Sequence, residues 1–134
     1  MLDRKRLVLL IDDEQDFIFF VKRNLELSGF RAVVAHNGSR GLRLAQSIHP
    51  DIILLDIRMP GLDGFEVLRK LKENDKTVSI PVIMLTALGD DDSKIKAAGL
   101  YDDDFIVKPA ETAAIQSRIE NTLCRASHAH NGKR

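Results

Sequence analysis

One cysteine, no excess of either charge and no long apolar run set the first limits on this 134-residue chain. The single cysteine, Cys124, excludes an internal disulfide and any metal site built from several thiolates. Twenty basic residues cancel twenty acidic ones, so bulk electrostatics offer no attraction to a polyanion. No direct nucleic-acid binding and no membrane binding are therefore expected. The longest apolar stretches fall far short of the ~20 residues that cross a bilayer. The opening Met1-Leu2-Asp3-Arg4-Lys5-Arg6 runs straight into an apolar segment and lacks the layout of a signal peptide. A cytoplasmic location is the expectation that suits these absences. The length fits one domain with one core.

What is present is a repeated pattern of short apolar strands that end in polar residues. Leu7-Val8-Leu9-Leu10-Ile11 ends in Asp12-Asp13, and Ile52-Ile53-Leu54-Leu55 ends in Asp56. Pro81-Val82-Ile83-Met84-Leu85 ends in Thr86-Ala87, and Phe105-Ile106-Val107 ends in Lys108-Pro109. Ala32 to Ala35 reads as a further short strand, closed by Asn37-Gly38. Between the strands, apolar residues recur at helical spacing: Phe17, Val21 and Leu25; Leu42, Ala45 and Ile48; Phe65, Leu68 and Leu71; Ile115, Ile119 and Leu123. Gly29 suits a helix end with positive φ, His49-Pro50 stops the second helix, and Asp63 with Glu66 forms a capping box. Asp90, Asp91 and Asp92 suit the start of a further short helix. From about Ala126 the chain turns small and polar, so residues 1–125 are expected to form the domain and 126–134 a frayed tail or the start of a linker. His128 and His130 fall in that tail and are read as inert. The alternation predicts an α/β domain whose strands are buried on both faces: a five-stranded parallel sheet with helices on either side.

Ligand sites in such sheets lie beyond the carboxyl ends of the strands. Asp12, Asp13, Asp56, Thr86 and Lys108 all fall at such ends. Two carboxylates 4 Å apart repel by about 4 kcal/mol at an effective dielectric near 20, so converging acids call for protons or a cation. Mg²⁺ fits the demand for oxygen ligands shared with phosphate, and Mn²⁺ is possible. A carboxylate held against a divalent ion can act as a nucleophile towards phosphorus, giving an aspartyl phosphate. The Thr86 hydroxyl and Lys108 ammonium would supply donors to the added oxygens, and the small Ala87 leaves the approach open.

The pair Asp12-Asp13, the stretch Asp51-Ile52-Ile53-Leu54-Leu55-Asp56-Ile57-Arg58-Met59-Pro60-Gly61-Leu62-Asp63-Gly64, then Thr86-Ala87 and Lys108-Pro109, together resemble the receiver domain of two-component response regulators over residues 5 to 125. The resemblance implies a flavodoxin-like strand order 2-1-3-4-5. It implies that Asp56 accepts phosphate from a histidine kinase or phosphotransfer protein, and that Asp13, Asp56 and the Arg58 backbone carbonyl bind Mg²⁺ with help from Asp12. It implies that Thr86 and Lys108 bind the phosphoryl oxygens. Thr86 and Phe105 match a switching pair that reshapes the surface of the fourth helix, fifth strand and fifth helix for a downstream protein or fused output domain. Any catalysis would be confined to self-phosphorylation and autodephosphorylation at Asp56, with Arg58 and Leu88 at the flanking positions. A homodimer is possible. The chain departs from the family pattern at Leu100-Tyr101-Asp102, where Ala-Gly-Ala is usual, and at Ala110, where a bulky apolar residue is common.

Other readings carry less of the pattern. A haloacid-dehalogenase-type phosphatase would want a second aspartate two residues after the nucleophile, where Arg58 stands. A flavodoxin-like cofactor protein would want Ser, Thr and Gly in the first loop, where Asp12-Asp13-Glu14 would repel a flavin phosphate. A degenerate receiver would bind proteins without phosphate, yet the acidic set is complete.

Overall fold

The computed structural model describes residues 4–87, 105–108 and 112–132, with backbone alone for Thr86, Ala87, Phe105, Val107, Thr112 and residues 127–132. Five strands, β1 (Leu7–Ile11), β2 (Arg31–Ala35), β3 (Ile52–Asp56), β4 (Val82–Ala87) and β5 (Phe105–Lys108), form one sheet in the order β2-β1-β3-β4-β5. Every pairing is parallel. Three helices connect the early strands: α1 (Gln15–Leu27), α2 (Gly38–Ile48) and α3 (Gly64–Glu73); a C-terminal helix spans Thr112–Gly132. No described helix is long and apolar enough to cross a membrane.

Strand alternation sorts the core into two layers. Val8, Leu10, Ile52, Leu54, Ile83 and Leu85 face α1 and the C-terminal helix, where Ile18, Val21, Leu25, Ile115, Ile119 and Leu123 meet them. Leu9, Ile11, Ile53, Leu55, Val82 and Met84 face α2 and α3, meeting Ala45, Val67, Leu68 and Leu71. Runs of consecutive apolar residues are required because both faces are covered. Each fully buried leucine or isoleucine contributes about 1.5–3 kcal/mol of transfer free energy. Asp51 anchors the sheet's lower edge: its Oδ2 accepts from the Leu7 amide at 2.7 Å, fixing the starts of β1 and β3 against each other.

Local chemistry explains most element ends. Gly29 takes φ +95° after α1, a conformation costly for residues with a Cβ. Asp63 accepts from the Glu66 amide at 2.9 Å while Glu66 returns a bond to the Asp63 amide at 3.2 Å, so the capping box at α3 is complete. Asn37, just past the end of β2, caps α2 by accepting from the Arg40 amide at 2.9 Å. Two details differ from the sequence reading. On α3, Val67 takes a buried place beside Leu68 and Leu71, and Phe65 is half-buried. The C-terminal helix continues to Gly132, past Ala126 where fraying was expected. No proline or glycine interrupts residues 126–131, and two alanines there favour helix, so the backbone ladder runs on. The expected helix at Asp90, Asp91 and Asp92, the departures at Leu100-Tyr101-Asp102 and Ala110, and Leu88 lie outside the described residues.

Candidate functional site

The chain runs from β1 outward to β2 and then returns to place β3 on the other side of β1. That reversal opens a crevice at the carboxyl ends of β1 and β3. Register does the rest: Ile11 pairs with Leu55, so Asp12 and Asp56 follow as lateral neighbours. Across β4, Asp56 pairs with Leu85 and Ala87 with Lys108, which brings the end of β5 to the same rim.

Gly64 holds the other side of the loop after Asp56. Its amide donates to the Ile57 carbonyl at 2.7 Å. A Cβ at this position would lie 2.6 Å from Ile57 Cα. The start of α3 therefore packs backbone against backbone beneath Asp56, which only glycine permits.

Ligand oxygens of Asp12, Asp13 and Asp56 lie within 4.8 Å of one another. Asp12 is fully buried, Asp56 is nearly so, and Asp13 is exposed. One Asp12 oxygen accepts from the Glu14 amide at 2.9 Å. The other is buried and ion-paired with Lys108 Nζ at 2.8 Å, with no further polar partner among the described residues. Lys108 Nζ also lies 3.0 Å from Glu14 and 3.7 Å from Asp56, and 4.3 Å from the centre of the Phe17 ring.

Electrostatics follow from this crowding. Burial, then the charge of Asp12, pushes the Asp56 carboxyl up from 3.8 to about 7, against the opposing pull of Lys108 and a backbone hydrogen bond with Arg58. For Lys108, burial works against the charged form, but contacts with Asp12 and Glu14 and the charges of Asp12 and Asp56 outweigh it and raise the ammonium above its usual range. A divalent cation fits this donor set. Three carboxylates, one with a buried oxygen whose sole partner among the described residues is Lys108, offer hard oxygen ligands to Mg²⁺.

Of the residues singled out from sequence, Asp12, Asp13, Asp56 and Lys108 meet at this rim. The backbone of Thr86 is at the end of β4, paired with Val107, and Phe105 opens β5, paired with Met84; their side chains lie outside the described residues. Sequence reasoning missed Glu14 and Phe17 as partners of Lys108. Glu14 is 94 positions from Lys108. The available signal was a third acid after Asp12-Asp13 that helix capping does not use.

The family model for the response regulator receiver domain matches residues 8–120. The chain belongs to the response regulator receiver family. It is 37% identical over 118 residues to the DNA-binding dual master transcriptional regulator RpaA of Synechocystis, covering 88% of this chain and 49% of that protein. It is 36% identical over 118 residues to the phosphate regulon transcriptional regulatory protein PhoB of Pseudomonas aeruginosa, covering 88% of this chain and 52% of the relative. The receiver domain of the Francisella response regulator 1452 superposes with a TM-score of 0.80 at 30% identity, covering 90% of this chain and 98% of the other. The chain thus spans about half the length of the curated relatives it matches.

These relatives correct one expectation. A zero net charge argued against a nucleic-acid partner, yet the matched proteins include a DNA-binding transcriptional regulator twice as long as the matched span. Affinity for DNA comes from a local set of phosphate-contacting lysines and arginines. The net charge of a receiver domain carries no information on such a set elsewhere, so the exclusion does not stand.

Proposed function

We propose that this receiver domain is a phosphoryl-accepting switch, charged at Asp56 by a histidine kinase or phosphotransfer protein in the cytoplasm. The observation that carries the reading is the meeting of three carboxylates within 4.8 Å with a lysine ammonium 3.7 Å from Asp56. In the proposed step an Asp56 oxygen attacks phosphorus, the bond from phosphorus to the donor's imidazole nitrogen breaks, and its electron pair stays on that nitrogen. The Asp12, Asp13 and Asp56 carboxylates, with the Arg58 carbonyl, would hold Mg²⁺, whose charge offsets repulsion between carboxylate and phosphoryl group. Lys108 and the Thr86 hydroxyl would donate to the phosphoryl oxygens.

The output follows from differential binding. A phosphoryl group biases two conformations only by how much better one of them holds it. Moving the balance from 1:99 to 99:1 takes about 5.5 kcal/mol. In this reading Thr86 and Phe105 change position together and reshape the far end of the sheet for a downstream protein or a fused output domain. Likeness to transcriptional regulators supports an output in gene expression.

Acetyl phosphate with Mg²⁺ should add the mass of one phosphoryl group to the wild type and none to Asp56→Asn, read by intact-mass spectrometry. A wild type that takes up nothing from acetyl phosphate, phosphoramidate or a kinase phosphohistidine sinks the proposal.

A further inference from the structure

The residue that opens α1 is an acid whose side chain is not used by its own helix. Glu14 stands at the N-cap of α1, yet its side chain makes no capping hydrogen bond. Serine, threonine, aspartate and asparagine are the residues that satisfy an N-terminus there. The Glu14 carboxylate instead spans to β5 and accepts from Lys108 Nζ at 3.0 Å, although Glu14 is 60% exposed and Lys108 only 12%. One helical turn on, the Phe17 ring lies under the same ammonium at 4.3 Å. Against these contacts, Lys108 stands 3.7 Å from Asp56, beyond hydrogen-bond distance. The lysine is therefore drawn towards α1 and Asp12 rather than onto the carboxylate that would carry the phosphoryl group.

We propose that Glu14 is a positioning residue that competes with the Asp56 phosphoryl group for the Lys108 ammonium, and so weakens the hold of the phosphorylated state. This rests on the phosphoryl-accepting reading above. An ammonium has three donors, but they point in fixed tetrahedral directions. Turning one onto a phosphoryl oxygen at Asp56 means lengthening or breaking the Glu14 contact. The Glu14 charge also adds to the negative field that an incoming dianion meets. Both effects act in one direction: Glu14 opposes phosphoryl capture, and its loss favours capture. The exposure of Glu14 keeps the effect modest, because solvent screens the pair.

The test uses beryllofluoride, a phosphoryl stand-in, titrated with saturating Mg²⁺ into the wild type, Glu14→Gln and Glu14→Asp by calorimetry. Glutamine removes the charge. Aspartate keeps the charge on a shorter arm that caps α1 and falls short of the ammonium. Binding about two- to fivefold tighter in Glu14→Gln is expected from the size of a screened ion pair, with Glu14→Asp moving the same way. A merely structural role would not tighten the analogue in both. Unchanged or weaker binding in both variants, beside a wild type that does bind, overturns the role of Glu14 and leaves Asp56 phosphorylation standing. Tightening in Glu14→Gln alone overturns the competition for Lys108, since it assigns the effect to bulk charge. A wild type that binds no beryllofluoride overturns the phosphoryl reading and this inference with it.

Discussion

Replacing Asp56 with asparagine should make the metal-free domain more stable at about pH 8, and the gain should vanish as pH falls. Burial and the neighbouring Asp12 charge raise the Asp56 carboxyl from 3.8 to about 7. An acid with a raised folded-state pKa binds a proton in the native state that the unfolded chain has already released. Stability from this group is therefore full below pH 3.8 and falls as pH rises to about 7. Each unit in that window removes about 1.4 kcal/mol, so between about pH 5.5 and pH 8 the wild type should lose about 2 kcal/mol through Asp56. Asparagine has nothing to titrate and relieves repulsion with Asp12. Urea unfolding followed by circular dichroism in chelator, for both proteins across this range, measures the difference directly. Ionisable groups away from the site are shared and cancel in the comparison, while the interactions of Asp12 and Lys108 with the Asp56 charge belong to the measured difference. Parallel stability curves would refute the reasoning, because they would mean that Asp56 is ionised in the native state throughout.

Mg²⁺ competes with that same proton, so its apparent affinity by calorimetry should weaken about tenfold per unit as pH falls below about 7 and level off above it. Lys108→Ala should separate two ligands. With no ammonium 2.8 Å from Asp12, Mg²⁺ should bind more tightly, while beryllofluoride should bind about tenfold or more weakly through loss of a charge-assisted hydrogen bond. Gly64→Ala should cost about 1–3 kcal/mol in urea unfolding, since the new methyl meets Ile57 backbone at 2.6 Å and must push the Asp56 loop aside. A cost near zero would mean that the loop moves freely.

Features decided within a few residues were legible in the sequence. The capping box at Asp63 and Glu66, the positive φ at Gly29 and the apolar strands each depend on neighbours in the chain. Asp12, Asp13, Asp56 and Lys108 were legible for a different reason: a parallel sheet collects strand ends on one side, so residue type at each end is enough. The Lys108 contacts with Glu14 and Phe17 were not legible, because they depend on which way one long side chain leans across the crevice. Asn37-Gly38 marked the end of β2, but its second role as the cap of α2 was not legible, because the same pair serves a turn or a helix start. The expectation about nucleic acid failed because net charge is a property of a whole chain, whereas binding is a property of a patch.

The site works against the fold that builds it. Asp12 is fully buried beside Asp56, and among the described residues one lysine serves three acids. A sheet optimised for stability would place apolar or paired residues at these strand ends. The two core layers behind it, Leu54 and Leu10 on one side and Leu55 and Ile11 on the other, are what allow the strain to persist. Ligand binding to such a site gains from relief of the repulsion as well as from new contacts, which is why a small ion and a small anion can bias the conformation of a whole domain. The argument has a measurable core: Mg²⁺ at about pH 8 should raise the stability of the wild type more than that of Asp56→Asn, and an equal increment in both would show that the ion binds without drawing on the crowded carboxylates.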